Sequence, residues 1–149
     1  MPDELKRAIR LEVYRSFVDR GRAPTPIELS ERFDLSPERV ASVLKDLAEQ
    51  DSALVLLPDS PYVWMAEPFS AVPTLYPVRS GDREWYGNCI WDALAILALL
   101  GRDGRVETLS PLDAAPLRFE ARDGALEPIE AVIHFAVPAS EWWKSIGHT

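Results

Sequence analysis

Midway along this 149-residue chain stand Trp85-Tyr86-Gly87-Asn88-Cys89-Ile90-Trp91-Asp92, directly before an apolar run that ends at Leu100. Gly101 follows that run and suits the C-terminal cap of a helix. The pattern therefore predicts a helix from about Asn88 to Leu100. Cys89 is the only cysteine, and Asp92 lies three residues after it, so both side chains share one face where the helix begins.

A thiol at a helix start has two interpretations. The backbone dipole favours the thiolate there and lowers the pKa of the thiol, which makes the residue a nucleophile or a ligand for soft metals. A free cysteine is also often a small, buried and inert hydrophobe, and a single Cys-x-x-Asp recurs by chance. The spacing alone favours the inert interpretation of Cys89.

The composition is typical of soluble globular proteins, with 47% hydrophobic and 27% charged residues. No apolar run approaches the roughly 20 residues that a membrane span needs. One cysteine excludes an internal disulfide, and the charged N-terminus does not resemble a signal peptide, so we expect a cytoplasmic protein. The net charge is −8, and residues 51–149 carry seven basic against fourteen acidic side chains. This balance argues against DNA binding driven by phosphate contacts.

Residues 1–66 carry the signals of three helices and a hairpin. Helical spacing runs from Asp3 to Arg20 and stops at Gly21, and a capping box at Thr25 opens a second helix that ends near Phe33. The third helix follows Ser36-Pro37-Glu38 and has apolar residues at helical spacing: Val40, Val43, Leu44 and Leu47. The runs Ala53–Leu57 and Tyr62–Met65 flank a proline-rich turn and predict the hairpin.

These elements predict a winged helix-turn-helix. Its third helix would expose as many acids as bases or more (Glu38, Arg39, Ser42, Lys45, Asp46 and Glu49), whereas a recognition helix normally presents Arg, Lys, Asn or Gln. We therefore expect a packing role for this domain and regard DNA binding as the minority interpretation.

The rest of the chain predicts an α+β fold with a mainly antiparallel sheet. Residues 67–84 contain three prolines among apolar residues and predict a packed connector that can include a short strand. In residues 85–149 the helix is followed by candidate strands and a chain reversal at Arg122-Asp123-Gly124. A last short helix should open at Pro138, carry Trp142 and Trp143, and close at Gly147. The candidate strands are Arg105–Leu109, Leu117–Ala121 and Ala131–Val137.

Other candidate site residues are weaker. His134 and His148 lack the His/Cys spacing of a zinc site, so we expect no metal at either. No phosphate loop or serine nucleophile motif is present, and a papain-like mechanism lacks a suitable histidine. The aromatic residues are expected in the core and in pocket walls, with Trp85 and Tyr86 flanking the thiol and excluding water from it. They are Tyr62, Trp64, Trp85, Tyr86 and Trp91.

The order of these parts resembles the alkylmercury (organomercurial) lyase family. A winged helix-turn-helix and a Pro-rich connector precede Trp-Tyr-x-x-Cys-x-x-Asp, which enters an Ala/Leu helix closing with Leu-Leu-Gly-Arg. The resemblance covers nearly the whole chain and is most specific from Trp85 to Arg102.

The resemblance implies an activity. Members of the family cleave the carbon–mercury bond by protonolysis to a hydrocarbon and Hg(II), and they bind no cofactor because mercury arrives with the substrate. Cys89 and Asp92 fall on the family's Cys-x-x-Asp, as mercury-binding thiolate and proton donor, with Trp85 and Tyr86 beside the substrate. A thiolate is the soft ligand that Hg(II) prefers. The implied partners are the organomercurial, low-molecular-weight thiols, and a mercuric reductase that receives Hg(II).

The resemblance also implies a second cysteine, on a strand after the last helix, that shares mercury with the first. This sequence contains no second cysteine and stops at Gly147-His148-Thr149, about where that residue is expected. We therefore expect that the natural protein continues past Thr149. In a divergent member with one thiol, an exogenous thiol completes the ligand set, or lyase activity is absent. The non-catalytic alternatives are a mercury- or metal-responsive winged-helix DNA-binding protein and a binder of organotin or organolead compounds.

Overall fold

Three helices begin the chain in the computed structural model, which describes residues 2–49, 54–144 and 146. The helices are α1 (Pro2–Arg20), α2 (Pro26–Phe33) and α3 (Pro37–Glu49), which agree closely with the predicted bounds. The predicted capping box of α2 is confirmed. The backbone N–H of Glu28 donates to the Thr25 hydroxyl at 3.2 Å, and the Glu28 carboxylate accepts from the Thr25 N–H at 2.7 Å.

A small antiparallel sheet follows the helices. Its strands, β1 (Val55–Leu56), β2 (Val63–Ala66) and β3 (Phe69–Ser70), pair in chain order. The β1–β2 pair is the predicted hairpin, although Ala53, the first residue of its predicted first strand, lies outside the described residues. The assignment of these helices and this hairpin to a winged helix-turn-helix stays a prediction.

A larger antiparallel sheet forms the second part of the fold. Its strand order is β5-β4-β6-β7-β8, and every neighbouring pair is antiparallel. The α+β class with an antiparallel sheet is therefore confirmed. The strands are β4 (Pro77–Ser80), β5 (Arg83–Tyr86), β6 (Gly104–Leu109), β7 (Pro116–Arg122) and β8 (Ala125–Leu126).

The segment 67–84 contains more strand than the sequence indicates. It holds β3, β4 and the first residues of β5, where the prediction is a packed connector with a short strand. The prolines of this segment argue against strands when the sequence is read alone. Pro77, however, is the first residue of β4, a position where a strand tolerates proline. Because β4 pairs with both β5 and β6, its formation depends on partners distant in the chain.

The predicted strand Ala131–Val137 is wrong. The turn at Asp123 and Gly124 is confirmed, and both residues have positive φ values, 49° and 77°. The chain then forms β8 and continues without regular structure from residue 127 to 138. Val132, which the strand would pack on one face, is 91% exposed, so the alternating pattern has no second layer to bury it. The helix expected after Pro138 is present as a 3₁₀ helix, Ala139–Lys144, and its predicted end at Gly147 lies outside the described residues.

Helix α4 (Ile90–Leu100) packs on the larger sheet and ends at Gly101, whose φ of 58° confirms the predicted cap. It begins two residues later than predicted. The buried side chains of α1, α3, α4 and both sheets form one continuous hydrophobic cluster, in which the ring of Phe17 stacks on Phe69 with centroids 5.1 Å apart. Within the described residues, no helix has the length and apolar character to cross a membrane.

Gly87 holds the segment that leads into α4. Its N–H donates to the carbonyl of Tyr76 at 3.0 Å, and its carbonyl accepts from the Thr74 hydroxyl at 2.6 Å. A β-carbon at this position would lie 2.5 Å from the backbone nitrogen of Ala93, in the first turn of the helix. Only glycine permits this approach without displacing the backbone.

Gly87→Ala is therefore expected to lower the free energy of unfolding by about 1–3 kcal/mol, because the added methyl overpacks a backbone contact. Urea denaturation measures this change. The control is Gly81→Ala, since Gly81 has a φ of 60° with open space around it and should cost only about 1 kcal/mol for the left-handed conformation. Equal losses in the two variants would contradict the close approach.

Candidate active site

Cys89 is the N-cap residue of α4, with extended backbone at φ −144°, and its side chain forms no capping hydrogen bond with the backbone of the helix. Its side chain is therefore available for other contacts. The thiol Sγ lies 3.6 Å from Oδ2 of Asp92, in hydrogen-bonding contact. The structure thus brings together the two residues that the Cys-x-x-Asp spacing places on one face.

The pair opens into a cavity of about 160 Å³. The lining combines polar and apolar side chains. The polar ones are Glu67, Asn88, Cys89 and Asp92, and the apolar ones are Met65, Trp91, Phe135, Trp142 and Ile146. Among these residues, two carry carboxyl groups and none is basic, so the cavity favours a ligand with positive character.

Three of the lining residues are aromatic, and their contacting rings form one wall of the cavity. Phe135 stands edge-on to Trp91, with centroids 6.4 Å apart and planes at 67°, and lies 5.1 Å from Trp142. The indole N–H of Trp142 donates to the carbonyl of Val137 at 3.1 Å, which fixes that ring to the segment carrying Phe135. The irregular segment after β8 is thereby packed across the start of α4.

Burial raises the pKa of both members of the pair. For Asp92 the desolvation of the carboxylate is the largest cause, and attraction from the Asn88 amide and the Cys89 thiol offsets part of it. The Asn88 amide still forms no hydrogen bond of ordinary geometry with a protein group. For Cys89 burial again dominates, and the helix-start N–H groups of Asp92 and Trp91 lower the pKa by less. The expectation that the helix dipole lowers the thiol pKa is therefore wrong in net direction.

Glu67 is a functional candidate that the sequence reasoning missed. Burial and the nearby charge of Asp92 raise the pKa of its carboxyl group. Its backbone carbonyl accepts a hydrogen bond from the Tyr14 hydroxyl at 3.1 Å, which ties it to α1. The one signal for it in the sequence is an acid within the otherwise apolar stretch between Val63 and Phe69.

Trp85 and Tyr86 do not line the cavity. Trp85 is fully buried, donates its indole N–H to the carbonyl of Phe17 at 2.7 Å, and lies under the guanidinium of Arg102. Tyr86 points its hydroxyl at Glu84, to which it donates at 2.8 Å. Successive residues of β5 face opposite sides of the sheet, so Trp85 points into the core and Tyr86 to the other side. The aromatic residues that line the cavity together with the thiol are instead Trp91, Phe135 and Trp142.

The remaining candidates lie elsewhere. His134 is exposed in the irregular segment, and His148 lies outside the described residues. Tyr62 is exposed and Trp64 half-buried in the small sheet, neither on the cavity. Over residues 2–49, 54–144 and 146, no three His, Cys, Asp or Glu side chains gather closely enough to hold a metal ion.

Comparisons with known proteins point to one family. The sequence model of a family described as alkylmercury lyase matches residues 69–149, just over half of the chain. A solved structure described as the mercury-bound form of MerB2 matches with a TM-score of 0.64 and 25% sequence identity. The match covers 86% of this chain and 60% of that one, so this chain spans about 60% of the length of its structural relative. No curated protein matches the sequence significantly.

The raised pKa of Asp92 gives a stability prediction with a definite sign. An acid whose pKa is higher in the folded state stabilises the fold below its unfolded pKa, and this contribution is lost as pH rises through the folded value. Asp92→Asn should therefore raise the melting temperature at pH 7–8 relative to wild type, and the gain should shrink towards pH 3.

Asp113→Asn is the matched control, because hydrogen bonds from Ser110 and the backbone of Ala115 lower the pKa of that exposed carboxyl group. The expected effect of Asp113→Asn has the opposite sign: the variant should be less stable than wild type at neutral pH. This difference in stability should vanish as pH falls through the folded pKa of Asp113. Thermal unfolding of both variants across pH 3–8 measures the effect. A pH-independent gain at Asp92 would contradict burial as the cause.

Proposed function

The chain belongs to the alkylmercury lyase family, and from that membership we propose that it cleaves carbon–mercury bonds by protonolysis. In this proposal Cys89 binds mercury as a thiolate and Asp92 delivers the proton to the leaving carbon. The observation that carries it is the 3.6 Å contact between Sγ and Oδ2 inside a partly shielded cavity. Soft-ligand chemistry and a proton donor are both needed at the reacting atoms, and this contact supplies them together.

Capture of the substrate begins with the proton of the Cys89 thiol, which faces the Asp92 carboxylate. The thiol of Cys89 displaces the ligand X from R–Hg–X, its proton passes to the Asp92 carboxylate, and X leaves as an anion. The products are R–Hg–S–Cys89 and a protonated Asp92. The raised pKa of Asp92 favours this step, because a shielded carboxylate accepts a proton more readily than an exposed one.

Cleavage returns that proton to carbon. The protonated Asp92 transfers its proton to the carbon of R–Hg–S–Cys89, the carbon–mercury bond breaks, and the hydrocarbon RH leaves. Mercury stays on Cys89 as a thiolate complex with one positive charge, beside the regenerated Asp92 carboxylate. Glu67 places a second carboxyl group in the same cavity and supports the developing charge, because opposite charges attract more strongly in shielded surroundings.

Release of Hg(II) requires a further sulfur donor. We propose that low-molecular-weight thiols provide sulfur ligands that carry mercury away. A mercuric reductase is the proposed receiver. The cytoplasm, with its reducing thiol pool, is the compartment that suits this exchange.

The helical N-terminal part supports a packing role over DNA recognition. Its helices and hairpin follow the order of a winged helix-turn-helix, but α3 carries acids that offset its bases. Lys45 pairs with Glu49 at 3.7 Å, and Asp46 pairs with Lys6 at 3.8 Å. Because phosphate contacts need unneutralised cations, the mercury-responsive DNA-binding alternative has little support.

Cys89→Ser should abolish both the retention of organomercurial on gel filtration and the release of hydrocarbon. Asp92→Asn should keep mercurial binding but slow cleavage by about 10²–10⁴-fold, the usual contribution of a positioned acid. The assay follows benzene from phenylmercury and methane from methylmercury by gas chromatography, with excess thiol present.

The control variant is Asp82→Asn, which removes an exposed carboxylate from the β4–β5 turn and should leave the rates unchanged. Retained cleavage by the Cys89→Ser protein would overturn the assignment. Full cleavage by the Asp92→Asn protein would remove Asp92 from the mechanism and leave Cys89 as the mercury ligand.

A further inference from the structure

We propose that the cavity beside Cys89 selects organomercurials that carry an aromatic ring, with the ring seated against Trp91, Phe135 and Trp142. This inference rests on the proposed function and names the substrate class of the same site. The size of the cavity, the arrangement of its lining and the exposure of its aromatic wall carry it independently of any titration.

The cavity has room for a single aromatic ring. Its volume is about 160 Å³, and an engineered apolar cavity of about 150 Å³ in another protein binds benzene. A phenyl group would fill this space, whereas a methyl group would leave most of it without contacts. Unfilled space forfeits the dispersion contacts that its walls would otherwise make.

The lining orients such a substrate. Cys89 and Asp92 are in contact and both line the cavity, so a mercury atom on Sγ would hold the attached carbon near the acid, with the rest of the organic group in the cavity. The aromatic side chains of the same lining are available to contact that group. Phe135 stands edge-on to Trp91 and tilted to Trp142. The ring of a bound arylmercurial would extend this cluster at similar spacings.

The aromatic wall is also more exposed than a core cluster would be. Trp91 is 58% exposed and Phe135 is 39% exposed, although both touch other rings. Large apolar side chains grouped at an accessible surface mark binding sites more often than isolated ones do. A ligand ring in the cavity would cover part of this exposed aromatic surface, so the exposure is consistent with a binding site.

The first test compares cleavage of phenylmercury and methylmercury by the same enzyme. Phe135→Leu and Trp91→Leu should each lower the ratio of kcat/KM for phenylmercury to that for methylmercury by about tenfold or more, the scale of discrimination in an apolar pocket. Using the ratio removes the intrinsic difference in reactivity between aryl and alkyl carbon. Two variants are used so that a packing defect in one does not decide the result.

Trp143→Leu is the matched control, because Trp143 follows Trp142 in the same 3₁₀ helix but does not line this cavity. Its ratio should equal that of the wild type. If both cavity variants keep the wild-type ratio, or if Trp143→Leu lowers it equally, the inference is overturned.

The second test measures binding without cleavage. Asp92→Asn protein is equilibrated with phenylmercury or methylmercury in excess small thiol, so that R–Hg–S exchange at Cys89 releases one small thiol for each mercurial bound. Relative to the small thiol, Cys89 should prefer phenylmercury by about tenfold or more. Equal partition would overturn the inference. Absence of cleavage by the wild type with a retained phenyl preference would overturn the proposed lyase function alone.

Discussion

The C-terminal end of α1 is capped by side chains of β5, and the position of the thiol depends on this contact. The last carbonyls of a helix lack partners within it. Here Trp85 donates its indole N–H to the carbonyl of Phe17, and Arg83 donates its guanidinium N–H groups to the carbonyls of Val18 and Asp19. The donors are two residues apart on one strand and therefore face the same side. A cation at this end of the helix also matches the sign of its dipole.

This cap joins the two sheets through one residue. The ring of Phe17 stacks on Phe69 of β3, while its carbonyl accepts from Trp85 of β5. Phe69 also bridges to Gly87, immediately after β5. Gly87 lies two residues before Cys89, so the contacts that connect the sheets also fix the entry into α4. Trp85 does not line the cavity, but its buried hydrogen bond to Phe17 helps to position the start of α4.

The sequence allowed prediction of features that depend on neighbouring residues. It did not allow prediction of contacts between distant segments. The capping box at Thr25 and the glycine cap at Gly101 depend on neighbouring residues, and both were predicted correctly. Strand β4 depends on pairing with β6, and the aromatic wall depends on packing Phe135 over the start of α4. The alternation of residues 131–137 suggested a strand because sequence cannot show that the sheet ends at β8 within the described residues. Glu67 reaches the cavity from the loop between β2 and β3, and an acid in an apolar stretch does not by itself indicate which distant residues it will join.

The sign of the thiol pKa shows which physical effect dominates at the site. A helix dipole contributes about 0.3–1 kcal/mol at an exposed terminus, whereas burial shifts the pKa of an ionisable group by as much as several units. Cys89 is half-buried, so desolvation exceeds the dipole and the resting thiol keeps its proton. Burial also raises the pKa of the neighbouring Asp92 carboxyl group. In the proposed mechanism, mercury would replace the thiol proton beside a carboxylate whose raised pKa favours accepting it. The burial that keeps the thiol protonated would thus also favour proton uptake by the acid proposed to cleave the carbon–mercury bond.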